Sequence, residues 1–416
     1  MIDLFRNFTL IILTFLTMLG CSNGHDNGNG APMLIHSELS TMTREDRQAH
    51  APNPAFEAVY YRDTQRVADV MATNPEFFNE QNVLGLTPLM LAITLQESEM
   101  ALAIANNQPI QDLQTVDLNG RGALSYAAQF GEIEVLEAIG KKYEDNLGWS
   151  GLNRFINIDV KDHSGRRALF YAADSSVAEA LSNQWTNWAV SRWFEDTLFS
   201  SFINNKDFSG QNFIHAAAAD NRHDLLRWAN DEICFRWAEG SEAPVKRFAL
   251  TLADYAGAYF QDVSDVTGEM FNKKDDNGDT PLHLAVKDGN LEASRILMNC
   301  WIMDFNRKNN LGHNPLSNLL AHLDPDQNPI SENYRQIFNE LYDQQNEIIW
   351  WRPGRFKLRV MNDKDKVNGD SALHHAARLK DPYFYETLMN AGGNIYLEND
   401  LNQTPDALFR ATQQGQ

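Results

Sequence analysis

Basic charge is the first thing this 416-residue chain lacks: 35 Lys and Arg stand against 56 Asp and Glu, for a formal net charge of -21. So acidic a chain repels nucleic acid and anionic headgroups and favours a basic protein as partner. Long apolar runs are missing too: the stretch from Phe8 to Leu19 is too short for an ordinary membrane-spanning helix. Cysteine occurs three times, and two of these, Cys234 and Cys300, lie in the body of the chain. Spacing leaves open whether they pair or are two small buried hydrophobes. Catalytic signatures are absent as well: there is no Gly-x-Ser-x-Gly, no phosphate-cradling Gly-rich loop and no His-Glu-x-x-His. An enzyme would need a site inside an insertion, and no cofactor or metal is expected.

What is present is a period. Residues Gly278 to Gly289 read GDTPLHLAVKDG, and related segments follow Gly85, Gly120, Gly165, Gly210, Gly312, Gly369 and Asn402. Gly accepts positive φ without a side-chain clash, so each Asx-containing segment before it suits a tight turn. Thr280 and Pro281, like Thr87 and Pro88, then start a helix, with Thr as cap and Pro in the first turn. Leu and Ala recur on one face at helical spacing, and a second helix follows, as at Leu291 to Met298 or around Val135 to Ile139. Small residues in the first helix allow close approach, and larger ones in the second fill the layer between units.

The marked turns are separated by 35, 45, 45, 68, 34, 57 and 33 residues, three of them within two residues of a 33-residue unit. With Thr-Pro-Leu-His at Thr280, Pro281, Leu282 and His283, the series resembles the ankyrin-repeat family from about Pro54 to Ala411. That resemblance implies an all-α, ankyrin-repeat α-solenoid with β-turn loops and helical insertions, and a protein-binding role. It also implies that His283 and His374, with His215 aligned to them, serve hydrogen bonding between repeats. Units are expected to begin near Asn82, Asp117, Asp162, Asp207, Asp275, Asn309, Lys366 and Asn399, behind a capping unit from Pro54 to Asn79. The 68-residue gap has room for one degenerate unit, because Phe248 to Phe260 shows helical apolar spacing.

The amino-terminal region reads differently. Arg6, the apolar run and Met18-Leu19-Gly20-Cys21 resemble a bacterial lipoprotein signal, with a plain secretory signal as the alternative. Residues 1–20 are then the signal peptide, Cys21 the lipidated residue, and 21–53 a polar tether unable to bury enough apolar area to order itself. Ser22 after the cysteine points to the periplasmic face of a Gram-negative outer membrane, with surface display left open. The rest, 54–416, is the repeat domain.

Insertions are expected near 143–158, 183–205, 230–272 and 321–360, and they are rich in aromatics. Trp149 sits in a Gly- and Asn-rich loop; Trp185, Trp188 and Trp193 crowd the second insertion; Tyr334, Phe338, Tyr342, Trp350 and Trp351 mark the last. Two readings stand: enlarged second helices packing back on the stack, or a partner-binding surface. As a metal pair, adjacent His374 and His375 point in different directions on a helix, with no Cys or carboxylate spacing to complete a site. Asp275 to Asp279 has calcium-loop composition, yet it falls where a repeat turn belongs and lacks the twelve-residue ligand pattern.

The expected function is protein binding from a membrane tether, by a protein monomeric apart from its partner, through Asn277, Asp279, Lys287, Trp149, Trp188, Trp193, Trp350 and Trp351. A basic toxin or secreted hydrolase, neutralised as by an immunity protein, is the partner first in line. A scaffold for envelope assembly and an enzyme with its site in an insertion are the alternatives.

Overall fold

Each unit opens on a side chain that folds back onto its own turn. In the computed structural model, which describes residues 50–109, 112–146, 160–190, 205–231, 270–300, 303–327, 329–346 and 361–414, Asp275 Oδ1 accepts from the amides of Asn277 and Asp279, both at 2.9 Å. Asp117 does the same for Asn119 and Arg121 at 2.8 Å, and Asn82, Asp162, Asp207, Asn309 and Asn399 repeat the arrangement. The fourth turn position is left-handed, with φ +76° at Gly278, and Asn402 fills it at +55° in the last turn. The unit expected at Lys366 begins one residue earlier. There Asp365 N reaches Asp370 O at 2.7 Å, an extra residue beyond the Asp275 N to Asp279 O bond of 2.9 Å.

Behind the turns the described residues form 17 α-helices: α1 Pro54–Tyr60, α2 Thr64–Thr73, α3 Pro88–Thr94, α4 Ser98–Asn107, α5 Ala123–Phe130, α6 Ile133–Asn146, α7 Ala168–Tyr171, α8 Ser175–Val190, α9 Phe213–Ala219, α10 His223–Ala229, α11 Pro281–Lys287, α12 Leu291–Met298, α13 Pro315–His322, α14 Glu332–Asn346, α15 Ala372–Ala377, α16 Pro382–Asn390 and α17 Pro405–Gln414. Odd-numbered helices pack consecutively in one row, and even-numbered helices from α2 to α14 in a second. Among the described residues there is no strand, only an antiparallel bridge between Val116 and Gly122. The division of labour follows side-chain size. Ala92, Ala127, Ala217, Ala285 and Ala376 are fully buried in the first row, and Leu136, Leu225, Leu297 and Leu341 in the second.

The stack is continuous across the 68-residue gap. Helix α9 packs directly on α11 and α10 on α12, and Asp276 N donates to Ser209 O at 2.9 Å. No unit is therefore intercalated between them in the stack; Phe248 to Phe260, where a degenerate unit is expected, lie outside the described residues.

Helix α14, inside the expected 321–360 insertion, is the second helix of its own unit. Phe338 is fully buried, edge-on to Phe384 at 4.9 Å and stacked with Tyr342 at 6.3 Å. Phe338 is thus core, with Tyr334 and Tyr342 partly buried against it. At the other end, Asn53 belongs with the folded domain rather than the tether: it caps α1, accepting from Ala55 N at 2.9 Å and Phe56 N at 3.2 Å. Cys300 is buried and disulfide-bonded. The chain's other cysteines are Cys21 and Cys234, so its partner lies outside the described residues. So do the signal and nearly all of the tether, through residue 49. No helix among the described residues is long and apolar enough to cross a membrane.

Candidate functional site

The turns form a ladder with one exposed edge. His163 N donates to Asn119 O and Phe208 N to Ser164 O, both at 2.8 Å; Asn310 N reaches Asn277 O at 3.0 Å, and Lys366 N and Asp400 N continue to Leu311 O and Asn368 O at 2.8 Å. From the Asp117 turn onward, each turn thereby locks the next at backbone level. The residues just after the opening Asx point outward. Nine large hydrophobics are exposed among the described residues, and six of them, Val83, Leu118, Phe208, Leu311, Val367 and Leu401, lie in these Asx-opened turns. Phe208 is 73% exposed. Asp276, Asn277, Lys366 and Asp400 are exposed between them.

Of the residues expected to bind a partner, Asn277 is exposed on this edge, and Lys287 is exposed at the end of α11. Asp279 is not available: it is buried and its Oδ1 accepts from Asn309 Nδ2 at 2.8 Å, joining two units. Desolvating a carboxylate is costly unless donors meet it, and the next unit supplies one. Trp149, Trp193, Trp350 and Trp351 lie outside the described residues; Trp188 falls on α8, with its side chain outside them too.

The repeat-motif residues sit where the physics of the turn and cap requires. Gly85 has φ +75°, Thr87 accepts from Met90 N at 3.3 Å, and Pro88 and Pro281 occupy first turns. The three aligned histidines are fully buried and bridge units. His283 Nδ1 accepts from Thr280 N at 3.2 Å while Nε2 meets His313 O at 3.0 Å. His215 and His374 repeat this with Asp279 O and Gln403 O, each at 3.1 Å. Burial pushes His215 and His283 down to about 4 and lowers His374 as well.

Polar contacts behind the edge brace the turns and tie units together. Tyr126 Oη donates to Asp117 Oδ2 at 2.7 Å, and the Arg121 guanidinium lies 4.4 Å from the Tyr126 ring centre. Arg166 reaches forward to Asp207 at 3.1 Å. At the junction of α13 and α15, two imidazoles take these places. His313 Nε2 and His375 Nε2 lie 3.3 and 3.2 Å from Asp365 Oδ2, with the rings edge-on at 5.1 Å. Burial alone would raise the Asp365 carboxyl, but His375 and the amides of Asn368 and Val367 outweigh it and hold it well below the carboxylate range. Burial, then the neighbouring His375, lowers His313. The sequence reading found no carboxylate to complete a site with His375; the fold supplies Asp365. His374, by contrast, points to its own cap at Ser371.

These arrangements give the comparison with known families its meaning. Residues 277–310 match the ankyrin repeat. The fold is an ankyrin-repeat solenoid, and ankyrin repeats are typically protein-interaction modules. No curated protein matches the chain. The matched repeat contributes Asn277 to the exposed edge, and the other ankyrin-like turns contribute the apolar tips. Sequence reasoning passed over those tips because a single Leu or Phe in a polar turn carries no signal; aligning the turns on their opening Asx would have placed Val83, Leu118 and Phe208 in one column.

Proposed function

We propose that this chain is a protein-binding ankyrin scaffold whose contact surface is the turn edge. The observation that carries the reading is the concentration of exposed apolar side chains there, six of nine among the described residues. Their backbone is already fixed by hydrogen bonds within the turns and, from the Asp117 turn onward, between them, so binding orders little that folding has not ordered. Asp276 and Asp400 on the same edge, together with the net charge of -21, favour a basic partner.

In its finer form the proposal places the protein on a lipid at Cys21, at the periplasmic face of a Gram-negative outer membrane. There it neutralises a basic toxin or secreted hydrolase in the manner of an immunity protein, covering the rim of the active site. The lipobox-like Met18 to Cys21, the polar stretch after it and the acidic balance support this. The disulfide at Cys300 adds to them, because such bonds persist in oxidising compartments.

The test is capture of the protein from its native envelope in mild detergent, with partners identified by mass spectrometry and the intact mass of Cys21 peptides measured. One stoichiometric basic toxin or hydrolase, inhibited on mixing, supports neutralisation. Recovery of assembly proteins instead moves the reading to an envelope scaffold, turnover by the purified chain to an enzyme, and an unlipidated Cys21 removes the tether.

A further inference from the structure

We propose that His313, Asp365 and His375 form a binding site for a zinc-class divalent cation that clamps together the two repeats built on α13 and α15. The three side chains offer two imidazole nitrogens and one carboxylate oxygen, all within 4.8 Å of one another. Two imidazoles and a carboxylate, with a fourth position left for water, are an established donor set for zinc.

The spacing also fits an ion. Ligands at about 2.0–2.2 Å from a tetrahedral zinc stand roughly 3.3–3.6 Å apart. His313 Nε2 and His375 Nε2 stand 3.3 and 3.2 Å from Asp365 Oδ2.

The surroundings prepare the set as a site. Asp365 Oδ1 accepts from the amides of Val367 and Asn368 at 3.0 Å and Asp370 at 3.1 Å, so the turn fixes the carboxylate and presents Oδ2 to the two rings. His313 is buried, 4% exposed. His375 is 14% exposed at its side chain, so the site lies close enough to the surface for an ion to enter. His313 belongs to one turn, Asp365 to the next and His375 to α15, on the two sides of the long segment that contains α14. An ion there would close the longest excursion within this half of the stack.

The experiment uses the tag-free full chain, stripped with a chelator and titrated with zinc chloride against a chromophoric competitor, alongside His313→Gln/His375→Gln. Gln keeps a donor towards Asp365, as Gln211 offers one to Asp275 at 3.4 Å. The expected result is one zinc per chain, a higher Tm with zinc, and at least about 100-fold weaker binding in the double variant. Equal binding by both proteins, or none by the wild type, overturns the proposal. Cobalt substitution decides independently of the variant's folding: a strong visible tetrahedral band supports the site, and only weak octahedral absorption from cobalt refutes it.

Discussion

His215 gives the sharpest physical test of how the repeats are joined. It is fully buried, its Nδ1 accepts from Asn212 N at 3.2 Å, and its Nε2 meets Asp279 O at 3.1 Å in the next unit. Burial holds it near 4, so it is neutral in the folded state, whereas in the unfolded chain it titrates at 6.5. Below pH 6.5 the unfolded chain therefore binds a proton that the folded chain refuses, and stability falls as the pH drops towards 4. Above that window the contribution is complete and flat. Between about pH 7.5 and about pH 5 the loss from this one group is on the order of 2 kcal/mol. His215→Gln keeps a capping-box residue at the third helical position and removes the titration. Urea unfolding followed by far-ultraviolet circular dichroism, at several pH values, should show the wild-type advantage over the variant shrinking by about 2 kcal/mol across that range. A constant gap between the two would refute the buried, neutral bridge.

The remaining predictions concern packing. Gly278 has φ +76°, and an added Cβ would lie 2.5 Å from Asn310 N, so Gly278→Val should cost at least about 2 kcal/mol in denaturant unfolding. Phe338 is fully buried against Phe384 and Tyr342, and Phe338→Ala should lose about 3–5 kcal/mol. Phe208→Ala, at 73% exposure, should stay within about 0.5 kcal/mol of wild type by the same assay.

The legible part of the fold was the part with local chemistry. Gly278 and Thr280 announce turn and cap over a few residues, and the helix Leu291–Met298 could be read from its apolar spacing alone. The extra residue at Asp365 escaped because Lys366 aligns equally well when only the glycine is counted. Continuity across the 68-residue gap rests on Asp276 N meeting Ser209 O, a contact between segments whose separation on the chain says nothing of their distance in space. The same holds for the site. Asn277 was readable as a turn tip, but Asp279, one polar residue among several, is drawn inward by Asn309 of the following unit. His313, Asp365 and His375 come together only through the stacking of two repeats, so no motif could announce them.

The most direct test of the central claim, that the turn edge binds a protein partner, is to replace Leu118, Phe208, Leu311 and Leu401 by Ser in the full chain and measure affinity for the partner recovered with wild type. The account predicts an unchanged circular dichroism spectrum and a Tm close to wild type, because all four side chains are exposed, with affinity reduced by at least about 100-fold. A variant that folds and binds as tightly as wild type would contradict it.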